Sequence, residues 1–496
     1  MQMRGSLSRK PRWPVFLYAG VPVLITGALW ATSAYQLSLP QLGAALILCW
    51  IPWAAYQQWY RASRQGLPLF AMIAAMHWLG YAVPLFWGSH GIGLVTGFHP
   101  LAEAALTKSM YLAVIGMATL WAGMKLATNW HWAPCIPLDV PQSPGRWLYL
   151  RIVLVASTLV QVFVGVPTLQ EVTRQIIVII EVIAPAVTFS ILLRSYLRGR
   201  AGDFDKVLLI GYVLVALALG LSSGWMGTIV GFGLICIATY VLARRRFPMV
   251  AIALILPVVL FLQPGKEKFR LRYWEHGPAS TYSDYGERIG YWLNASAQQW
   301  ANAITDPSGN GVRELASSTL YRVSLLEQTG NVVEMTPQQV PYQYGRLYSY
   351  LLITWIPRVL WPEKHGFNDA NRWYQVAYHL NSPAQLQTVS IAVGVLTESY
   401  ISFGWVGPIF VMFCLGFFLG VVQKIFFRPE SGLLLNSIGI ALLPGLLVLE
   451  SQMAQYVSGL AQQVLAAIII LAPVLQLTRT GERAQRVSPY AVPTRR

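Results

Sequence analysis

The chain has 496 residues, of which 55% are hydrophobic and 11% charged, with a formal net charge of +16. A water-soluble globular chain carries about 25% charged residues, so these figures exclude a soluble fold, and they exclude intrinsic disorder as well. The four cysteines (Cys49, Cys135, Cys236 and Cys414) are widely spaced and lie mostly in apolar runs, which excludes a disulfide scaffold and reads as small buried hydrophobes. What remains is an all-α polytopic membrane protein.

Crossing a bilayer takes about 17–25 apolar residues. Such stretches fall near 13–35, 42–60, 67–87, 110–127, 147–167, 175–194, 206–222, 225–243, 247–263, 404–424, 431–450 and 459–477, twelve in all. The first follows Arg4, Arg9, Lys10 and Arg12; it is too long for a signal-peptide core and lacks a small-residue cleavage site, so it reads as an uncleaved helix. If the N-terminus is cytoplasmic, the cytoplasmic connections hold 22 basic residues and the short outer ones only Lys108 and Arg174. That asymmetry predicts an N-in, C-in topology and makes most of the positive charge topogenic. No nucleic-acid partner is expected from it. The expected organisation is a nine-span membrane domain over 1–263, a large outer loop over 264–390, three spans over 391–478 and a basic cytoplasmic tail over 479–496.

The segment 264–390 carries eleven basic and ten acidic residues. Long loops translocate regardless of charge, so these residues are not needed for topology and become candidates for function. A loop of this length should contain folded parts. Asp284 and Glu287 resemble a capping box, and Tyr285, Ile289, Trp292, Leu293 and Trp300 recur at helical spacing. This predicts an amphipathic helix over 284–304, lying on the membrane with its tryptophans at headgroup level. Residues 347–361 are apolar, too short to span and interrupted by Pro357, which predicts an interfacial or re-entrant helix.

No Walker A and no HExxH motif occurs, and no metal or other cofactor is expected. Asp203-Phe-Asp205 has the form of a metal-binding DxD but sits in a basic connector. Gly416-x-x-x-Gly420 reads as close helix packing, and Glu181, inside an apolar stretch, should face the protein interior. The informative cluster runs from 322 to 400: Arg322, Arg346, Arg358, Lys364, His365, Glu398 and Tyr400. Cations on a segment that dips toward lipid suit the anionic headgroup of a lipid-linked substrate. An arginine fork grips a pyrophosphate and stabilises its charge as it leaves. The plainer readings are that Arg358 and Lys364 snorkel to headgroups, that Arg322 pairs with Glu327, and that His365 is a surface histidine. Glu398, where an apolar run begins, should pair with one of the arginines.

Arg346, then Ile356-Pro357-Arg358-Val359-Leu360-Trp361-Pro362-Glu363-Lys364, then Thr397-Glu398-Ser399-Tyr400-Ile401-Ser402-Phe403-Gly404-Trp405-Val406-Gly407 form a succession that resembles the bacterial oligosaccharide repeat-unit polymerases of the O-antigen polymerase (Wzy) type. The likeness covers about 320–420 in motif and the whole chain in architecture. His365 departs from it, standing where many members of that group have proline. The resemblance implies a GT-C-like membrane glycosyltransferase in the bacterial inner membrane, acting at its outer, periplasmic face without a metal. Its substrates would be undecaprenyl-pyrophosphate-linked oligosaccharides, and a chain-length regulator protein would be a partner. On this reading Arg322, Arg346, Arg358 and Lys364 hold the donor pyrophosphate, with Arg358 and Glu398 as the catalytic pair. Glu398 orients or deprotonates the acceptor hydroxyl, and His365 and Tyr400 are candidates for the acceptor side. The rival readings are an O-antigen ligase, which uses the same donor, and a transporter or flippase of lipid-linked sugars.

Overall fold

The computed structural model describes residues 15–33, 35–62, 64–130, 138–140, 143–163, 171–275, 284–353, 356, 361, 369–387, 391–448 and 450–475. Within them the chain is helical apart from one short hairpin and the turns. α1 (Val15–Ala31) and α2 (Leu39–Arg61) come first. Ser38 opens α2 by donating its N–H to Gln41 Oε1 at 3.1 Å, and Arg61 offsets the negative charge of its last turn. α3 (Leu69–His77) runs through a π-helical turn at Trp78–Ala82 into α4 (Val83–Trp87). β1 (Gly91–Leu94) and β2 (Gly97–Pro100) pair antiparallel, with Gly91 opposite Pro100. α5 (Glu103–Asn129), α6 (Pro144–Phe163), α7 (Glu171–Leu197), α8 (Asp203–Ser223) and α9 (Met226–Arg244) follow. α10 (Met249–Leu262) then bends by 59° into the helical run Lys266–Trp274, which begins with α11 (Lys266–Arg270). Pro264 and Gly265 stand at the break, the residues that most readily interrupt a helix.

The segment expected as a loop is largely folded: α12 (Tyr285–Ile304), α13 (Gly311–Tyr321), α14 (Leu326–Met335), a 3-10 turn at Arg346–Leu352 and α15 (Asp369–Ala377). α16 (Val395–Phe403), α17 (Val406–Phe426), α18 (Gly432–Leu446) and α19 (Met453–Leu471) complete the chain. The interfacial helix expected over 347–361 is represented by the 3-10 turn; most of the rest of that stretch, like the basic tail 479–496, lies outside the described residues.

Each of the twelve apolar stretches falls on a helix. By length and composition, however, eight helical columns among the described residues can cross a membrane, or nine if α10 and its bent continuation form one span. α18 has only 15 residues, and the apolar part of α1 is confined to Gly20–Ala31. Val250, Leu254, Leu256 and Val258 of α10 are each more than half exposed, an apolar surface suited to lipid rather than water. Glu181 of α7 is buried, as its apolar surroundings require. The protein is therefore a helical, membrane-embedded one.

Contacts between distant turns sort the two ends of the bundle. At one end Lys424 Nζ donates to the Trp130 carbonyl, Leu138 N–H to the Ser431 carbonyl at 3.1 Å, and Arg194 to Asn436 at 2.9 Å. These bring together the connectors that follow α5, α7 and α17, the last two carrying Arg198, Arg200 and Arg428. At the other end Ser33 Oγ donates to the Phe86 carbonyl, Trp274 Nε1 to the Ser223 carbonyl, and Gly394 N–H to the Glu450 carbonyl. The described helices from α11 to α16 are gathered at this second end.

α12 exists where helical spacing predicts it, and its tryptophans turn toward the end of α10. Trp292 is fully buried against Met226, Leu262 and Phe269, and its Nε1 donates to the Leu262 carbonyl at 2.9 Å. Trp300 donates to the Phe261 carbonyl at 3.2 Å. Both cap the last carbonyls of α10, which have no partner within their own helix. The anticipated capping box is also absent: Asp284 makes no side-chain cap bond, and Glu287 instead accepts from Arg272 and Tyr273. Trp292→Ala is accordingly expected to cost about 3–5 kcal/mol locally. The check is hydrogen exchange, in which uptake over 285–304 should rise well before the rest of the bundle.

Candidate functional site

The turn that joins α18 to α19 organises the site. The first N–H groups of α19 lack helical partners and carry partial positive charge. Met453 N–H donates to Glu398 Oε2 at 2.6 Å, and Glu398, on α16, is fully buried. The sequence expectation that Glu398 pairs with an arginine is thus corrected. A helix N-terminus takes that place, because the chain reversal before α19 sets unpaired backbone donors against α16. α16 is held from three sides. Gly394, at φ 75°, donates to the Glu450 carbonyl, a backbone conformation that glycine accepts and other residues rarely do. Thr397 Oγ1 meets Thr329 Oγ1 of α14 at 2.7 Å, and Thr329 in turn meets the hydroxyl of Tyr81 in the π-helical turn at 3.2 Å. A Cβ at Gly407 would lie 1.9 Å from the Ser399 carbonyl oxygen, so that glycine is needed for the α16–α17 corner.

Burial pushes the Glu398 carboxyl up to about 7, with the Met453 N–H opposing the shift. Its Oε1 has no hydrogen-bond partner, and neither do Tyr348 OH, Ser402 Oγ or the two side-chain amide atoms of Gln452. Ser402 lies one helical turn beyond Glu398, and Gln452 immediately precedes Met453. Burial and the nearby Glu398 charge hold the Tyr348 hydroxyl well above the usual tyrosine range, with Ser402 close enough to oppose that shift.

A cationic cluster flanks the same turn. Burial depresses Lys266, helped by the positive charges of Arg322 and Arg270, while Glu450 acts in the opposite sense. Burial raises Glu450 in turn, and Lys266 opposes it. Arg322 Nη2 lies 3.5 Å from Glu267 Oε2. Glu450 and Met453 are three residues apart, at most about 10 Å of extended chain. The cations and the buried carboxylate therefore flank the two sides of one turn.

Of the residues singled out from sequence, Glu398 and Arg322 are brought to opposite sides of this turn. Arg346 is exposed and opens the 3-10 turn that carries Tyr348. Tyr400 lies two residues from Glu398, packed at 6.3 Å from Tyr342 and 6.1 Å from Trp405. Arg358, Lys364 and His365 lie outside the described residues. The expected Arg322–Glu327 pair is not formed. Glu327 is buried, accepts from Ser324 Oγ, and is pushed up to about 7 by burial. Ser402 stood within the Thr397–Gly407 succession without being singled out, and Lys266, Arg270, Glu450, Tyr348 and Gln452 carried no motif. The only sequence signal was the charged run Lys266-Glu267-Lys268-Phe269-Arg270 directly after an apolar stretch.

An apolar groove of about 410 Å³ runs up to Tyr348 and Met453 and is lined also by Phe403, Phe410, Cys414 and Phe418 among others. Cys414, expected to be buried, is exposed in this groove. No group of three or more metal-ligating side chains occurs among the described residues. The DxD pair is engaged elsewhere: Asp205 accepts both prongs of Arg151 at 2.7 and 3.0 Å, and Asp203 pairs with Lys206 at 2.7 Å.

Fold and site together define a membrane-embedded helical protein with a buried carboxylate and a cationic cluster at one end of its bundle. The chain belongs to a family described as a domain of unknown function (DUF8712), whose profile matches residues 97–442. That region contains Lys266, Arg322 and Glu398 but ends before the 450–453 turn. No curated protein and no solved structure matches the chain.

Proposed function

We propose that this protein is a metal-independent membrane glycosyltransferase, a polysaccharide polymerase that moves a growing glycan from an undecaprenyl-pyrophosphate carrier to a lipid-linked repeat. The observation that supports this best is the Glu398 carboxylate, buried with one oxygen unpaired behind the Met453 end of an apolar groove, with Lys266, Arg270 and Arg322 gathered on the Glu450 side of the same turn. In the reaction, the acceptor hydroxyl gives its proton to Glu398 as its oxygen bonds to the anomeric carbon of the donor sugar. The bond from that carbon to the pyrophosphate oxygen breaks, and the cations stabilise the departing charge. The groove suits the polyprenyl chains that bring both substrates to the site, which makes the encounter effectively intramolecular. Twelve crossings in a GT-C-like arrangement fit the pairing of helix ends. The arginines after α7 and α17 support a cytoplasmic end there, and on this reading the 450–453 turn faces the outer, periplasmic side of a bacterial inner membrane.

The test is a gel of surface polysaccharide from a deletion strain complemented with wild type or with Arg322→Glu, after both proteins are shown to reach the membrane. Wild type should restore a ladder. Arg322→Glu should reduce polymer roughly tenfold by reversing a charge that faces the leaving pyrophosphate. A ladder unchanged by the deletion itself would overturn the polymerase reading. Complete loss of repeats attached to core would point to a ligase.

A further inference from the structure

Unpaired polar atoms are rare inside proteins, and each one costs free energy when buried without a partner. Five of them adjoin the 450–453 turn: Glu398 Oε1, Tyr348 OH, Ser402 Oγ, and Gln452 Oε1 and Nε2. Glu398, Ser402 and Gln452 are fully buried. Tyr348 forms the wall between this set and the apolar groove. Its ring lines the groove and stacks on Phe403 at 6.0 Å with an interplanar angle of 4°, while its hydroxyl is near enough to Glu398 to feel that charge.

We propose that Tyr348, Ser402 and Gln452 form, around Glu398, a subsite that binds the hydroxyl and amide substituents of the acceptor sugar. The chemistry of the set selects this ligand class. Two hydroxyls, one amide and one carboxylate oxygen offer donors and acceptors in mixture, which matches a polyhydroxylated ring. The cations that suit a phosphate sit on the other side of the turn, next to Glu450. The stacked Tyr348 and Phe403 rings add an aromatic face for the apolar side of the sugar. Rotation of Tyr348 toward the groove opens the subsite, and its return seals the ring against water. These are positioning and specificity residues. The proposal rests on the glycan-transfer reading above, and its test separates the two.

The experiment compares two probes on the purified, full-length protein: undecaprenyl pyrophosphate, and the lipid-linked repeat extracted from cells that lack this protein. Wild type should be stabilised more by the sugar-bearing lipid than by the bare one. In Tyr348→Phe and Ser402→Ala the extra stabilisation should vanish, with affinity for the repeat falling about tenfold each. Affinity for the bare lipid should be unchanged, and Ser402→Thr should retain the wild-type preference. Melting temperatures without ligand should stay level or rise, because the variants delete hydroxyls that have no partner in the free protein. Equal stabilisation of wild type by both lipids, or an unaltered preference in both variants, overturns the subsite. A preference that behaves as described, in a protein that never extends chains, overturns the polymerase reading and leaves the subsite standing.

Discussion

Replacing Glu398 with glutamine is expected to abolish chain growth while leaving thermal stability at neutral pH unchanged or higher. Glutamine keeps a carbonyl oxygen to accept the Met453 N–H, so the contact at 2.6 Å between α16 and α19 survives. It loses the capacity to take a proton, and the removal of a general base costs about 10²–10⁴ in rate. It also removes a charge from a fully buried position. Burial holds the carboxyl at about 7, above its ordinary value of 4.5, so between those values the folded state binds more protons than the unfolded one. Stability therefore falls as pH rises through that window and stays lower above it. The wild-type melting temperature should decline relative to Glu398→Gln from pH 4.5 to 7, and the two should converge at lower pH. Activity should run the opposite way. The base form accumulates as pH rises through about 7, so wild-type transfer should drop roughly tenfold per unit below it. Glycan transfer and thermal melts measured on the same two proteins check both trends. Equal activity of wild type and Glu398→Gln would remove Glu398 from the chemistry.

The helices could be read from the sequence because a membrane leaves so few alternatives: backbone groups in lipid must be satisfied within a helix, and the residues facing lipid must be apolar. The same logic could not give the length of each helix, and α18, read as a crossing over 431–450, has 15 residues. α12 was legible from the spacing of Trp292 and Trp300, but their direction was not. Indole N–H groups suit a headgroup and a helix-terminal carbonyl equally well, and only the bend after α10 brings Leu262 and Phe261 within reach. Glu398 could be picked out because a carboxylate at the start of an apolar run demands compensation. Its partner could not, since a backbone N–H has no side-chain signature and Met453 lies 55 positions away. Lys266 and Arg270 were counted as loop charges. Nothing local distinguishes a solvated lysine from one depressed by burial beside Arg322.

Leucine at Gly416 should prevent α17 from seating on α5, and even alanine should cost about 1–3 kcal/mol. The two helices run parallel in close contact: a Cβ at Gly416 would lie 2.1 Å from the Leu120 carbonyl oxygen, and one at Gly420 would lie 2.6 Å from Ala127 Cβ and 2.8 Å from the Met124 oxygen. The approach is reciprocal, because a Cβ at Gly123 of α5 would lie 2.1 Å from the Phe413 oxygen. Most of the atoms in the way belong to backbone, so no change of rotamer relieves the clash, and the helices must move apart. In lipid, apolar burial gives little drive for helices to associate, and close packing carries the pair. A separation of a few tenths of an ångström along the whole face therefore forfeits much of what holds it. Gly211 and Gly233 have open space where a Cβ would go, so Gly233→Ala is the control and should be neutral or stabilising. Melting temperature and the monodisperse fraction after detergent extraction would check this, and equal values for Gly416→Ala and Gly233→Ala would refute it. The consequence reaches the site, because α17 begins where Gly407 packs on Ser399, one residue from Glu398. Gly420→Ala, the milder change, should accordingly lose more transfer activity than its melting temperature alone accounts for, as α16 shifts against Met453.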